Sequence, residues 1–399
     1  MQDSRQGGHR QTTIDRGNLL ASPSLGPLTS PRGRLQLWAA VAPGLEAVAL
    51  AELQDFGIRD ARLRQHGITF GWPAAQLVDL LRRLRTVEQV LVHVGKIDLH
   101  SPDSLAQLLH KLRVLGWLPA DCWVDVKVHA LAGATEKAAW WQHQVNAAKA
   151  QLAATGASAQ LPERHDGAVV HVRCDRRHVE VAVDPAGAPL SQRGYRLDPG
   201  QAPLRETTAA LLLRWAGMKQ GMAVWDPVCG SGTLAIEAAL WGRRSGQALA
   251  CASWPGLEPQ HQLGEEALNV PPLVEAGDLS SAAVDRTRAN AERAGVLQAM
   301  TIRQAELAEW HEPAAAAEGL VVANLPWGVR LGSRAEARRL AQRWGAVVRR
   351  RVPGWRAAVV VAEPQLANEL GLMHREVQET RSGGRAIWLV RGVVPGGGR

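Results

Sequence analysis

The stretch AVWDPVCGSGTLAIEAALW, residues 223–241, decides the fold of this chain. It begins as a short apolar strand that ends at Asp226, continues through a loop containing Gly230 and Gly232, and becomes an apolar helix near Thr233. Glycine permits a positive φ and lets a ligand approach the backbone closely. The amides at the start of the following helix face an anionic or polar group. A ligand-free turn needs fewer special residues than this, so we predict a ligand-binding strand–loop–helix unit.

Three ligands are compatible with a loop of this kind. Gly230, Gly232 and Ala235 satisfy the dinucleotide pattern G-x-G-x-x-G/A, but no acidic residue ends a second strand roughly 20 positions later. A P-loop requires Lys followed by Ser or Thr after its last glycine, which this loop lacks. An S-adenosylmethionine site of a class I methyltransferase begins with an acidic residue before the loop, and Asp226 provides it. The resemblance of this loop to that methyltransferase site implies that the residues binding the cofactor are Asp226, Cys229, Gly230, Ser231, Gly232 and Thr233.

Two further acidic residues follow the next two predicted strands. Asp278, in EAGDLS, is expected to hold the ribose hydroxyls of the cofactor, and Glu306, in RQAEL, is expected to meet its adenine amine. A single acidic residue at such a place is more often a helix cap. Two of them after successive strands lie on the same edge of an open α/β sheet, where ligands bind. We therefore assign both to the cofactor.

Residues 204–399 alternate predicted strands and helices, which indicates a parallel sheet. The predicted strands are nearly continuous apolar runs, as strands covered on both faces require. The fold class is α/β, with a Rossmann-like class I methyltransferase domain and a mostly parallel seven-stranded sheet. Six of its strands can be placed from the sequence: MAVWDP, PLVEAG, MTIRQA, GLVVANLP, AAVVVAEP and RAIWLVRGVV.

The first half of the chain divides by composition and periodicity into four parts. Residues 1–34 are rich in Gly, Ser, Arg and Gln with no apolar period, so we expect a disordered basic tail. Short strands and amphipathic helices alternate over 35–100 and again over 101–190, which predicts two α+β modules. Residues 191–203 form a linker.

The predicted fourth strand of the C-terminal domain runs into VVANLPWGVRL, residues 321–331. Asn, Pro and Gly also punctuate ordinary turns, but at the end of a fourth strand they resemble the [N/D]-x-P-[Y/F/W] motif of class I methyltransferases that methylate amino groups of planar conjugated systems. That resemblance implies a chemical use for these residues. An exocyclic base amine is a poor nucleophile because its lone pair is delocalised into the ring. The Asn324 side-chain oxygen and the Pro326 carbonyl can accept its two N–H bonds and so orient the lone pair. Trp327 can stack on the base, a contact worth on the order of 1–3 kcal/mol.

Taken together, these segments resemble the THUMP-domain RNA methyltransferases, from about residue 35 to the end of the chain. The similar stretches are APGLEAVALAELQDFG, QVNAAKAQL, SQRGYRLDPGQAPLRETTAALLLRWAG, DPVCGSGTLAIEAAL and NLPWGVRL. The resemblance implies ferredoxin-like and THUMP modules that grip RNA, and a catalytic domain that forms N2-methylguanosine in tRNA or rRNA from S-adenosylmethionine. Leu325 stands where many members have Pro, and Glu306 where Asp is common.

The charge of the chain agrees with a polyanionic partner. Its net charge is +8, and Arg supplies nearly all of the positive charge; Arg pairs with phosphate in a two-pronged geometry. The candidate RNA contacts are Lys149, Arg193, Arg196 and Arg343. A solvated basic face is an equally common origin of such residues. A single catalytic domain at this size favours tRNA over rRNA as substrate.

Four alternatives and several absences complete these expectations. The four cysteines show no C-x-x-C spacing and no apolar run approaches the roughly 20 residues that span a bilayer. We therefore expect a cytoplasmic monomer without a metal or a membrane partner. The alternatives are rRNA as substrate, adenine-N6 methylation, protein-glutamine methylation, and a non-catalytic RNA-binding protein. The intact cofactor loop and Asn324 argue against the last of these.

Overall fold

The computed structural model describes residues 28–98, 105–120, 122, 124–130, 134–154, 168–174, 178–197, 204–257, 273–310, 318–325 and 334–396. Two sheets organise these residues, one on each side of residue 190. None of the described helices is long and apolar enough to cross a membrane.

Seven of the described strands form the first sheet, in the order β2-β3-β1-β4-β7-β6-β5. The strands are β1 (Arg34–Ala40), β2 (Arg62–Arg64), β3 (Gly67–Pro73), β4 (Gln89–Asp98), β5 (Val124–Ala130), β6 (Ala168–Cys174) and β7 (His178–Asp184). The helices of this region are α1 (Glu46–Asp55), α2 (Leu77–Arg83), α3 (Leu105–Val114) and α4 (Thr135–Ala154). β4 pairs with β7 in an antiparallel register. The two modules predicted from the sequence therefore share one continuous sheet, which we call the N-terminal sheet domain.

The second sheet also has seven described strands, in the order β10-β9-β8-β11-β12-β14-β13. They are β8 (Ala223–Asp226), β9 (Val274–Asp278), β10 (Met300–Gln304), β11 (Gly319–Asn324), β12 (Arg356–Val361), β13 (Met373–Ser382) and β14 (Arg385–Val393). Strands β8 to β12 pair in parallel, and β14 runs antiparallel to both neighbours. The helices are α5 (Glu206–Trp215), α6 (Thr233–Ala239), α7 (Ser281–Arg293), α8 (Arg334–Arg351) and α9 (Leu366–Glu369). The predicted class I methyltransferase fold, with a mostly parallel seven-stranded sheet, is confirmed.

Strand β13 is the one that apolar runs do not reveal. Its sequence, MHREVQETRS, is polar, and its side chains are mostly exposed because it forms the edge of the sheet. The central strands show the opposite composition. Val321 and Val322 of β11 and Trp225 of β8 are fully buried, because helices cover both faces of this part of the sheet.

A buried ionic network joins the N-terminal sheet domain to the second sheet. Glu237, on α6, is 2% exposed and accepts hydrogen bonds from Arg193 Nε at 2.8 Å and from the Tyr195 hydroxyl at 3.0 Å. Arg85, which follows α2, lies 3.6 Å from the same carboxylate and donates to the Leu240 carbonyl at the end of α6. A buried carboxylate is tolerated only when it is paired and hydrogen-bonded. These contacts therefore fix α6 against the N-terminal sheet domain.

Candidate active site

The residues that the sequence assigns to the site lie at or just after the carboxyl ends of four consecutive strands of the second sheet. Asp226, Asp278 and Asn324 are the last residues of β8, β9 and β11, and Glu306 comes two residues after β10. These strands are neighbours in the order β10-β9-β8-β11 and run in parallel. Their carboxyl ends therefore meet at one edge of the sheet, which we call the catalytic edge.

The glycine loop adopts the backbone conformation that the sequence predicts. Gly230 and Gly232 have φ values of +59° and +81°, in the region that residues with a side chain rarely adopt. The amide of Gly230 donates to Asp278 Oδ2 at 3.0 Å, and the amide of Ser280 donates to Asp278 Oδ1 at 3.0 Å. Asp278 thus ties the loop to the end of β9. Each of its carboxylate oxygens retains capacity to accept another bond.

Two residues of α7 support this loop and escape the sequence analysis. Thr287 Oγ1 donates to the Gly230 carbonyl at 3.1 Å, and Asn290 Nδ2 donates to the Ser231 carbonyl at 2.9 Å. Both residues are fully buried. A Cβ at Gly232 would lie only 2.7 Å from Thr287 Cγ2, so this glycine is required for space as well as for its φ. Their i, i+3 spacing on the buried side of a helix is the only signal in the sequence.

Asp226 is the carboxylate whose surroundings are most unusual. It is 1% exposed, and its Oδ1 has no hydrogen-bond partner in the part of the chain that the structure describes. Burial raises the pKa of Asp226 to about 8, with a further contribution from Asp278 and despite hydrogen bonds from the amides of Val228 and Ala235. A buried carboxylate oxygen without a donor is costly. The site therefore fits a ligand that brings a positively charged donor to Asp226.

The space beside the loop agrees with this interpretation. A Cβ placed on Gly230 would meet no atom of the described residues within 4 Å, so the loop borders open space on that side. Leu279, the residue after Asp278, is 67% exposed although it is a large apolar side chain. An exposed leucine next to Asp278 offers apolar surface to a planar ligand. The residues present thus fit S-adenosylmethionine, with an amine, a ribose and a base.

Glu306 is already engaged at the catalytic edge. Its Oε2 accepts a bond from the amide of Ala308 at 2.9 Å, and its Oε1 lies 2.5 Å from an Nη of Arg343 on α8. The predicted adenine contact and one of the predicted RNA contacts therefore pair with each other. The side chain of Arg343 remains 54% exposed. More than half of this side chain therefore stays accessible at the catalytic edge.

The end of β11 contains the predicted catalytic motif. Asn324 is half-buried at the last position of the strand. Leu325 is 3% exposed and packs in the core, with its amide bonded to the Val360 carbonyl at 3.1 Å. Leu325 therefore anchors the motif rather than facing a base. Pro326 and Trp327, the other two predicted catalytic residues, lie outside the described residues.

The predicted RNA contacts in the linker require correction. Arg193 is 8% exposed, because its guanidinium pairs with Glu237 and donates to the Arg85 carbonyl at 2.8 Å. The Arg196 side chain, 13% exposed, pairs with Glu206 at 3.1 Å. Both arginines hold the linker inside the protein and leave no free face for RNA phosphate. Lys149 lies in α4, in a part of the helix whose side chains are outside the description.

The structural role of Arg193 gives a stability prediction. Arg193→Gln removes the charge beside Glu237 while Arg85 stays in place. We expect the free energy of unfolding to fall by about 1–3 kcal/mol, measured by urea denaturation. The control is Arg288→Gln, which removes two exposed contacts, an ion pair with Asp285 and a hydrogen bond to the Ile302 carbonyl, and should change stability by less than about 0.5 kcal/mol. Equal stability of the two variants would contradict the assignment.

Comparison with known proteins agrees with both halves of this architecture. Residues 193–387 match the family described as RMKL-like, methyltransferase domain, and residues 36–91 match the family described as RlmL ferredoxin-like domain. The ribosomal RNA large subunit methyltransferase K/L of Alcanivorax borkumensis is 30% identical over 357 residues, which cover 85% of this chain and 50% of that relative. The chain thus spans about half the length of the curated relatives it matches.

Two solved structures share the fold over almost the whole chain. A predicted N6-adenine-specific DNA methylase from Listeria monocytogenes is 25% identical, with a TM-score of 0.68, over 91% of this chain and 97% of its own. The putative methyltransferase SMU.472, solved with SAH, is 20% identical, with a TM-score of 0.69, over 92% and 99%. Together with the two family matches, these structures show a class I methyltransferase fold with a ferredoxin-like domain N-terminal to it. The THUMP module stays a prediction.

Proposed function

We propose that this chain, which joins an RMKL-like methyltransferase domain to an RlmL ferredoxin-like domain, is an S-adenosylmethionine-dependent RNA methyltransferase. It would act on the exocyclic N2 amine of a guanosine. The observation that carries the proposal is the meeting of Asp226, Asp278, Glu306 and Asn324 at the carboxyl ends of four neighbouring strands. Ligands of open α/β sheets bind at this position.

The cofactor residues divide by the chemistry they offer. The buried Asp226 carboxylate would pair with the amino group of S-adenosylmethionine, and the Asp278 oxygens would accept bonds from ribose hydroxyls. Leu279 would cover one face of the adenine, with Glu306 at its rim. When bound, this cofactor supplies a methyl group that the positive sulfonium makes electrophilic.

The catalytic contribution of the protein is orientation of the amine. Asn324 ends β11 beside the cofactor loop at the end of β8, because β8 and β11 are adjacent. Its side-chain oxygen would accept one N–H of the base amine and so aim the nitrogen lone pair at the methyl group. The same acceptor stabilises the positive charge that develops on nitrogen. In the proposed site, Pro326 and Trp327 provide the second acceptor and the stacking surface.

The RNA is proposed to be large-subunit ribosomal RNA. The matching curated relatives are named ribosomal RNA large subunit methyltransferases. The preference for tRNA that chain size favours has no support from these comparisons. The exposed arginines of α8, among them Arg343 and Arg339, lie on the helix that follows the catalytic motif and would contact phosphates near the target base.

The deciding experiment is methylation in vitro with nucleoside analysis. The purified chain and isotopically labelled S-adenosylmethionine are incubated with deproteinised large-subunit rRNA or with total tRNA, and digested nucleosides are separated by mass spectrometry. Labelled N2-methylguanosine from rRNA supports the proposal. If labelled N2-methylguanosine forms only in tRNA, the substrate is tRNA and not rRNA. Labelled N6-methyladenosine would indicate the adenine alternative, and no labelled nucleoside would favour a non-catalytic RNA-binding protein.

The ribose assignment gives a separate prediction. Asp278→Ala removes the acceptor for the ribose and for the Gly230 and Ser280 amides. We expect the dissociation constant of S-adenosylmethionine to rise about 10-fold or more, measured by calorimetry. The control is Asp285→Ala, an exposed residue on α7, which should leave this constant unchanged. If Asp278→Ala binds S-adenosylmethionine as tightly as the wild type, Asp278 does not bind the ribose.

A further inference from the structure

A cleft of about 1330 Å³ lies between the N-terminal sheet domain and the methyltransferase domain, lined by residues of both. One wall consists of α1 and the segment after α2, and the other contains the carboxyl ends of α5, α6 and α7. Lys219, on the second wall, comes four residues before β8 begins at Ala223. The cleft therefore lies at the amino ends of the parallel strands. It is distinct from the candidate active site, which occupies their carboxyl ends.

The lining of this interdomain cleft is strongly basic. Its charged residues are Arg83, Arg85, Arg214, Lys219, Arg243, Arg244 and Arg391 against Glu52 and Asp55. Three acids outside the lining also neutralise it, because Asp79 pairs with Arg83 and Arg244, Glu237 with Arg85, and Glu376 with Arg391. Asp55 pairs with Arg214. With each acid counted as one full negative charge, positive charge still exceeds negative charge by two, and Glu237 is in addition shared with Arg193.

Among the cations that line the cleft, Lys219 and Arg243 have no acidic partner within the described residues. Lys219 is exposed, and the guanidinium of Arg243 makes one hydrogen bond within the described residues, at 3.4 Å to the Gly295 carbonyl at the end of α7. A bond to a neutral carbonyl satisfies a helix end but does not neutralise the charge. A concave surface with unneutralised cations concentrates anions from solution.

The size of the cleft and its aromatic residues indicate which class of anion it binds. Small-molecule pockets are usually about 300–1,000 Å³, so this cleft suits a segment of a longer chain. Trp215 and Trp241, both partly buried, line it, and the Arg391 guanidinium covers one face of the Trp215 ring at 4.7 Å from its centre. Cations that follow a phosphate backbone, together with aromatic side chains that stack on bases, are the two elements of single-strand nucleic-acid sites.

We propose that the interdomain cleft binds a single-stranded segment of the substrate RNA, with Lys219 and Arg243 on its phosphates. This rests on the proposed function, since it assumes an RNA substrate. The geometry allows one RNA to reach both sites. β8 has four residues, so at about 3.3 Å per residue the strand itself spans roughly 13 Å between the two edges. The N-terminal sheet domain thus contributes a wall to an RNA site.

The test compares two double variants of the full chain with the same loss of charge. Lys219→Ala with Arg243→Ala removes the unneutralised cations of the cleft. Arg59→Ala with Arg62→Ala removes exposed cations at the edge strand β2. The affinity for fluorescein-labelled fragments of deproteinised large-subunit rRNA is measured by anisotropy over a range of salt concentrations. Calorimetry with S-adenosylmethionine verifies that each variant keeps its cofactor site.

We expect the cleft variant to bind RNA roughly 3- to 10-fold more weakly at physiological salt. Its slope of log affinity against log salt should fall by about 1.4, at about 0.7 per phosphate contact. Ultraviolet crosslinking of the wild-type chain should attach RNA to peptides that contain Trp215 or Trp241. The β2 variant should bind more tightly than the cleft variant.

The outcomes separate this inference from the proposed function. If the wild-type chain methylates and binds RNA but both double variants bind equally well, or no crosslink falls on the cleft, the inference is wrong and the function stands. If the wild-type chain neither binds nor methylates RNA, both are wrong. A Lys219→Glu variant provides a stronger test, since it reverses a charge on an exposed side chain and should weaken binding more than Lys219→Ala.

Discussion

Replacing Asn324 with alanine is expected to lower the turnover number about 10²- to 10³-fold, the scale of losing one preorganised partner of the reacting group. Cofactor affinity should change little, because the contacts assigned to the cofactor belong to the glycine loop and to the ends of β8, β9 and β10, not to β11. The expected signature is a loss in kcat with an unchanged dissociation constant for S-adenosylmethionine. Single-turnover methylation of rRNA and calorimetry measure these two quantities.

Two further substitutions separate orientation from folding. Asn324→Asp keeps an oxygen acceptor at the end of β11 and should retain more activity than Asn324→Ala. Asn368→Ala, on the exposed side of α9, is the matched control and should leave turnover unchanged. If Asn324→Ala keeps full turnover, Asn324 is not catalytic. If turnover and cofactor affinity fall together, Asn324 supports the glycine loop rather than orienting the base amine.

The residues of the catalytic edge could be predicted because each one ends a strand. An apolar run that stops at a polar residue shows where the strand ends, and parallel pairing then places successive ends side by side. Asp226, Asp278 and Asn324 all come from this pattern. The glycine loop adds its own signal, since the two glycines need a positive φ.

The roles that could not be predicted from the sequence depend on contacts between residues far apart in the chain. Arg193 looked like a surface cation because nothing local shows that Glu237, 44 residues later, will be buried against it. Thr287 and Asn290 are polar residues on an ordinary helix until the fold places them under the glycine loop. Contacts of this kind depend on tertiary packing, which periodicity and spacing do not encode. The interdomain cleft belongs to the same class, since its walls come from different domains.

Asp226→Asn is expected to stabilise the cofactor-free protein while weakening its cofactor binding. The pKa of Asp226 is about 8 in the folded protein, above the ordinary value of 3.8. The folded protein therefore keeps a proton that the unfolded chain releases between these two pH values. Stability of the wild type should fall as pH rises through this window, by at most about 1.4 kcal/mol per pH unit. Asparagine cannot ionise, so the variant lacks this loss.

The comparison of the two proteins across pH isolates this residue from the other titrating groups. Near pH 4 the free energies of unfolding should agree, and the advantage of Asp226→Asn should grow to at most on the order of 4 kcal/mol at pH 7. Urea denaturation at pH 4, 5, 6, 7 and 8 measures it. Addition of S-adenosylmethionine should reverse the order, because only the wild type offers a carboxylate to the cofactor amine. If the free energies of unfolding of the two proteins instead change with pH in the same way, Asp226 is ionised in the cofactor-free protein. Its buried Oδ1 would then be stabilised by another donor.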